Sequence, residues 1–205
     1  MFQISPVQLF VQRWKLIFLA GVVLAAASVI ISALFPLEYR ADAQVLIISS
    51  SRYGVDPYTT VKSAERIGEN IAQIVKTNDF YNKVVNQPQY TLDLSRFTNV
   101  PERTKRKRWQ KTVNASVVFG TGVLNISTYH TDADEAKNFA GAVADALVSY
   151  GADYVGGNVA IKIVNQPIVT RAPVRPNVLV NAMFGFVAGV LMMCFIIVRR
   201  VKKVF

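Results

Sequence analysis

Hydrophobic positions fall into two regimes along this chain. Two unbroken apolar runs, Leu16 to Phe35 and Val178 to Val198, lie toward its ends, and between them are shorter stretches in which apolar and polar residues alternate or recur at helical spacing. Each run holds about 20 residues without a charge. At about 1.5 Å of rise per residue such a helix matches a hydrocarbon core about 30 Å thick, so both predict membrane spans. A cleaved signal peptide is the rival reading of the first, because Ala41-Asp42-Ala43 has the small-x-small form of a cleavage site. The run is longer than a signal-peptide core and the triplet lies inside a predicted strand, which favours a span.

Between the runs the pattern changes period. Tyr39 to Ile48 is rich in aliphatic and β-branched residues and predicts a strand; Ser49 to Tyr58, with Gly54 and Pro57, reads as a loop. Val61, Ala64, Ile67, Ile71, Ile74 and Val75 recur at three and four, which predicts an amphipathic helix over Thr59 to Thr77. Asp79 is expected to cap a short helix ending near Val85 that turns Phe80, Tyr81 and Val84 inward. Residues 86–111 carry Pro88, Asn99 and Pro101 and read as irregular chain, except for a basic helix over Glu102 to Lys111. Thr112 to Phe119 and Val123 to Tyr129 form a predicted hairpin across Gly120-Thr121-Gly122.

Asp132 and Glu135 have capping-box spacing. Behind them Ala136, Phe139, Ala140, Val143, Leu147, Tyr150 and Tyr154 continue one helical face, and the helix stops at Gly156-Gly157. Val159 to Thr170 is a last strand, broken by Pro167. The order strand, helix, strand, strand, helix, strand predicts an α+β, ferredoxin-like (β-α-β-β-α-β) domain, helices on one face of an antiparallel sheet, flanked by two transmembrane helices.

Charge orients the hairpin. Arg13 and Lys15 precede the first run, Arg199, Arg200, Lys202 and Lys203 follow the second, and all 13 carboxylates lie in residues 37–176. Basic flanks stay cytoplasmic, and a long domain translocates largely regardless of its charge. The chain is thus expected in the plasma (inner) membrane, with residues 1–15 cytoplasmic, 16–35 a span, 36–176 an extracytoplasmic domain, 177–198 a span and 199–205 a cytoplasmic basic tail. The net charge of +10 divides into +6 on the two ends and +4 on the exported part, and the 52% hydrophobic content is inflated by the spans. About 140 residues suffice for one domain with its own core. The single cysteine, Cys194, lies within the second run, so no intrachain disulfide holds that domain.

Candidate chemistry is sparse. Gly185-Phe-Val-Ala-Gly189, preceded by Asn181 on the same face, is a small-xxx-small pattern for helix packing, against either the first span or another subunit. Pro173, Pro176 and Asn177 read as a stiff membrane-proximal strut. Arg103, Lys105, Arg106, Lys107, Arg108 and Lys111 surround Trp109. They form either a solvated or ion-paired helix face or a contact for an anionic headgroup, diphosphate or acidic glycan, with Trp109 stacking on sugar or sitting at an interface. Nucleic acid is not expected on that side of the membrane. The sole histidine, His130, reads as a surface or turn residue, and Asp132, Asp134 and Glu135 as charges at a helix start. No nucleophile elbow or metal-ligand spacing occurs, so no catalytic residue, metal or cofactor is expected and the chain reads as non-enzymatic.

Several of these features together resemble the polysaccharide co-polymerase family, the chain-length determinant or Wzz-type proteins, over nearly the whole length. They are Leu9-Phe-Val-Gln-Arg-Trp-Lys15 before the first span, Pro36-x-x-Tyr39-x-Ala41 after it, and Ala172-Pro-Val-Arg-Pro-Asn177 before the second, with Asn181, Gly185 and Gly189 inside that span. The Asp56-Pro-Tyr58 loop and the Tyr129-His-Thr-Asp-Ala-Asp-Glu-Ala136 turn also look like the family. The resemblance implies a homo-oligomer that sets the length or export of a lipid-linked polysaccharide beside a polymerase and flippase. No G-x-x-x-x-G-K-[ST] occurs, so the chain is most similar to small adaptor-type members without a kinase domain, which act with a separate cytoplasmic tyrosine kinase. A sensor or adaptor activating that kinase through the Arg199 to Lys203 cluster and Phe205, and a structural envelope scaffold, are the alternatives.

Overall fold

The computed structural model describes residues 10–49, 56–156 and 159–202, and the chain divides into two compact units. The first comprises Met1–Leu37 and Arg175–Phe205. Its two helices, α1 (Trp14–Ala33) and α6 (Val178–Lys202), are long and apolar enough to cross a membrane. α1 starts and ends two residues earlier than its apolar run, and α6 continues past its run through Arg199 and Arg200. Leu19, Val23, Ile30, Leu179, Phe184 and Leu191 are exposed on these helices, as a lipid-facing surface presents them.

The second unit, Glu38–Val174, is a mixed α+β domain. Its strands β1 (Tyr39–Ser49), β2 (Val113–Val117), β3 (Val123–His130) and β4 (Val159–Val169) form one four-stranded sheet in the order β2-β3-β1-β4, with every neighbouring pair antiparallel. Alternation decides which side is covered. Ala41, Ala43, Val45 and Ile47 of β1 and Leu124 and Ile126 of β3 are buried, and α2 (Pro57–Ile74), α4 (Glu102–Thr112) and α5 (Ala133–Val155) pack over them. The short α3 (Asn78–Val85) adds Phe80, Tyr81 and Val84 to the same core.

Local sequence explains most element ends, with corrections. Asp56 and Pro57, expected in a loop, start α2: the Asp56 carboxylate accepts the Thr59 N–H at 3.2 Å and Pro57 occupies the first turn, where its missing N–H costs nothing. α3 is capped by Thr77 rather than Asp79, the Thr77 hydroxyl accepting the Phe80 N–H at 3.3 Å. Asp79 instead accepts from the Tyr154 hydroxyl. The capping box at α5 is half-formed: Asp132 Oδ1 accepts the N–H groups of Asp134 and Glu135 at 2.8 and 3.0 Å, but Glu135 accepts the Asp93 N–H at 2.8 Å instead of closing back on Asp132. Gly156, at φ +64°, ends α5; Gly157 lies outside the described residues.

Pro167 does not break β4. It sits where β1 and β4 shift register, with Asp42 opposite Ile168 and Gln44 opposite Asn165, so two β4 residues bulge against Ala43. An edge strand with a bulge has no ladder bond at that position for proline to remove. Residues 86–101 form no helix or strand, but they are fastened at successive points. Gln87 donates to the Ala142 carbonyl at 3.0 Å, Tyr90 to Asp145 at 2.6 Å and Arg96 to Glu38 at 2.6 Å, while Phe97 is buried against Tyr81, Trp109 and Phe139. Burial and the adjacent Asp145 carboxylate push the Tyr90 phenol up to about 12.

Candidate functional site

The helical hairpin joins its helices through small and polar groups. Gly189 brings the backbone of α6 onto α1 so closely that a Cβ there would stand 2.5 Å from the Ala20 carbonyl oxygen, and one at Gly185 would stand 2.7 Å from the Leu24 oxygen. Only glycine permits that approach. Asn181 lies further along the same face. Its side-chain amide donates to Ser32 Oγ at 2.8 Å, its carbonyl accepts from Ser28 Oγ at 2.8 Å, and Ser32 donates to the Ser28 carbonyl at 2.9 Å. Asn181, Gly185 and Gly189 therefore pack on α1 of the same chain. Their counterparts Ser28 and Ser32, spaced by four, and Gly21, against which Phe186 fits, are absent from the sequence-based candidates. The Ser28-x-x-x-Ser32 spacing is the signal that would have found them.

The strut residues divide between the units. Asn177 is the cap of α6, its Oδ1 accepting the Val180 N–H at 3.1 Å, and Val174, next to Pro173, donates its N–H to the Glu38 carbonyl at 2.8 Å. Pro176 follows a cis Arg175-Pro176 bond.

Helix α4 carries the basic cluster, and here Trp109 is corrected. It is 1% exposed, its Nε1–H donates to the Val75 carbonyl at 2.8 Å, and its ring meets Tyr81 and Phe97 edge-on at 5.1 and 6.1 Å between centroids. Trp109 is thus a core anchor of α4 and has no face left for a sugar. The helix period explains why: one side of α4 buries Trp109 and Thr112, and the charges occupy the rest. Lys105 lies 4.7 Å over the Tyr81 ring and 3.7 Å from Glu102, and Arg108 donates to the Arg96 carbonyl. Arg103, Arg106, Lys107 and Lys111 are exposed. Arg106 borders a recess of about 260 Å³ with Lys76, Gln73, Thr77, Asn78 and Gln110.

His130 is also corrected: it is buried, 3% exposed, and stacks on Phe139 at 5.9 Å. The Asp132 N–H donates to its Nδ1 at 3.1 Å, which leaves the neutral ring's proton on Nε2. Nε2 has no hydrogen-bond partner among the described residues, its nearest carboxylate oxygen being Asp93 Oδ2 at 3.9 Å. The histidine ties the end of β3 to the start of α5. No cluster of metal-ligating side chains occurs among the described residues.

The sheet face away from the helices is polar at its centre. In one row across the strands stand Ser116, Asn125, Gln44 and Asn165, and in the next Asn114, Ser127, Asp42 and the exposed Ile168. Gln44 Nε2 donates to Asn125 Oδ1 at 2.7 Å, Asn165 donates to Gln44 Oε1, and Asp42 accepts from Ser127 Oγ at 2.7 Å and from Arg40 Nε at 2.9 Å. Arg40, Asp42, Gln44, Ser116, Asn125 and Ser127 border a recess of about 350 Å³. Sequence reading places Tyr39 to Ile48 and Val123 to Tyr129 in strands, yet which polar residues share a row depends on register. No family model matches the chain, and no curated protein matches it significantly.

Proposed function

We propose that this chain is a non-enzymatic membrane protein that regulates the chain length, polymerisation or export of a lipid-linked surface polysaccharide, acting as a homo-oligomer beside a polymerase or flippase. On this reading the Glu38–Val174 domain is ferredoxin-like and extracytoplasmic, and both termini are cytoplasmic. The strand order β2-β3-β1-β4 with antiparallel neighbours, and helices on one face, support the fold assignment. Arg13, Arg199 and Arg200 beside the two apolar helices support the orientation.

One observation carries the reading furthest: the domain's two exits leave side by side. Thr170 N–H donates to the Arg40 carbonyl and Val174 N–H to the Glu38 carbonyl, both at 2.8 Å, as a domain closed off by two neighbouring spans requires. On this reading the domain acts by position. Deleting the gene and separating the surface polysaccharide by size is the test. A shifted length distribution or a changed amount is expected, and an unaltered profile refutes the proposal.

A further inference from the structure

We propose that the open face of the sheet is a binding platform for a neutral, hydroxyl-rich glycan chain, held by the amide row Asn125, Gln44 and Asn165 and the adjoining pair Ser127 and Asp42. This rests on the polysaccharide reading above and names the ligand class within it. The face differs from an unfinished core. Its central positions on β1, β2 and β3 are Asp42, Gln44, Asn114, Ser116, Asn125 and Ser127, flanked by Leu46, Ile48, Val123 and Ile168, whereas the opposite face of the same strands is apolar apart from Thr128 and His130. A partner protein seated on these central positions would bury polar groups with little hydrophobic return.

Donor and acceptor arithmetic indicates what fits. Gln44 spends one amide N–H on Asn125 and its oxygen on Asn165, and Asn125 spends its oxygen. Among the described residues this leaves both N–H groups of Asn125, one on Gln44, one on Asn165 and the Asn165 oxygen for a ligand. Asp42 uses one lone pair on each oxygen, for Ser127 and Arg40, and retains acceptor capacity toward the recess. Mixed donors and acceptors on planar groups match hydroxyls, which both donate and accept. The row itself holds no cation to draw an anion: Arg40, beyond it, is paired with Asp42, and Lys162 stands one row further on, opposite Leu46. Mutual hydrogen bonds hold the side chains in place before binding, so less rotamer entropy is lost on association. The two rows lie about 6.6 Å apart, two residues along a strand, so several hydroxyls of an extended chain can be met at once.

The test uses the full chain in lipid nanodiscs, titrated with neutral gluco-, galacto- and mannoheptaose and with oligogalacturonate as the acidic counterpart. At least one neutral heptasaccharide is expected to bind saturably. Asn125→Val and Asn165→Thr should each weaken it about tenfold, the loss of one well-made polar contact, while the double variant Arg106→Glu/Lys107→Glu on α4 leaves it unchanged. Both sheet variants place a β-branched residue on a strand surface, and thermal unfolding checks that each folds. Lack of saturable binding to every neutral probe overturns the proposal. So does binding that survives both sheet variants, a preference for oligogalacturonate abolished by the α4 variant, or an Asn125→Val effect confined to oligomeric state, which would assign the face to a second copy. The functional reading fails separately: if the deletion strain keeps a normal polysaccharide profile while sheet-dependent binding persists, the platform stands and the chain-length role falls.

Discussion

Replacing Trp109 discriminates between a core anchor and a ligand-contacting aromatic. In Trp109→Ala the buried indole, its two edge-on aromatic contacts and its hydrogen bond to the Val75 carbonyl are lost together. Truncating a buried tryptophan costs about 3–5 kcal/mol. In Trp109→Phe most of the ring survives, but the Val75 carbonyl is left unpaired in the core, which costs roughly 1–3 kcal/mol. For a domain of the size of Glu38–Val174, each kcal/mol moves the melting temperature by about 4 °C, so the alanine variant should melt about 12–20 °C below wild type and the phenylalanine variant about 4–12 °C below. Arg106→Ala, on the exposed side of the same helix, should stay within about 2 °C. Circular-dichroism melts of the detergent-solubilised chain give the ranking. Acrylamide quenching in a Trp14→Phe background, which leaves Trp109 as the only tryptophan, should show an indole shielded from solvent. If Trp109→Ala melts with wild type, or Trp109 is quenched as freely as an exposed indole, the burial argument is wrong.

In the hairpin, Gly189→Ile has no room beside Ala20 and should separate α1 from α6, read as a longer distance between spin labels on the two helices. Asn181→Leu, losing only the side-chain bond to Ser32 Oγ while the backbone carbonyl still accepts from Ser28, should cost about 0.6–1.7 kcal/mol and leave that distance unchanged. Glu65, which accepts from Lys62 Nζ at 2.8 Å and from the Gly120 N–H at 3.4 Å, is held below the usual carboxylate range by the Lys62 hydrogen bond first and the Gly120 bond second. A depressed carboxylate stabilises the fold above its unfolded value of about 4.3, and that contribution disappears as pH falls through the lower folded value; Glu65→Gln should flatten this acid limb in pH-dependent melts. Tyr90 has the opposite sign. Its raised value means stability present below about 10 and lost as pH climbs toward about 12, so Tyr90→Phe should flatten the alkaline limb over that window.

Period and punctuation in the chain determine the elements. Two uncharged runs announce α1 and α6, the three-and-four spacing from Val61 to Ile74 announces α2, and Gly120-Thr-Gly122 announces the hairpin, because these signals come from a residue's own geometry and near neighbours. Caps are less legible. Thr77 and Asp79 both suit the start of α3, and the choice falls to Thr77 because Asp79 is drawn to Tyr154 at the far end of α5, a contact 75 residues away in sequence. Trp109 and His130 are misread for the same reason. A tryptophan among six basic residues and a histidine at a strand end look exposed locally, and only the packing of α3, α5 and residues 86–101 encloses them. The partner of Gly185 and Gly189, left open by pattern, is decided by the pairing of α6 with α1. The amide row on the sheet likewise depends on register between strands about 80 and 120 residues apart, set by which face of each strand the helices cover. The chain's pattern by itself thus determines which segments are helix, strand or apolar enough to span a membrane. Which polar groups meet, and which aromatic rings lose their solvent, is settled by contacts between residues remote in sequence, whose energies no local pattern encodes.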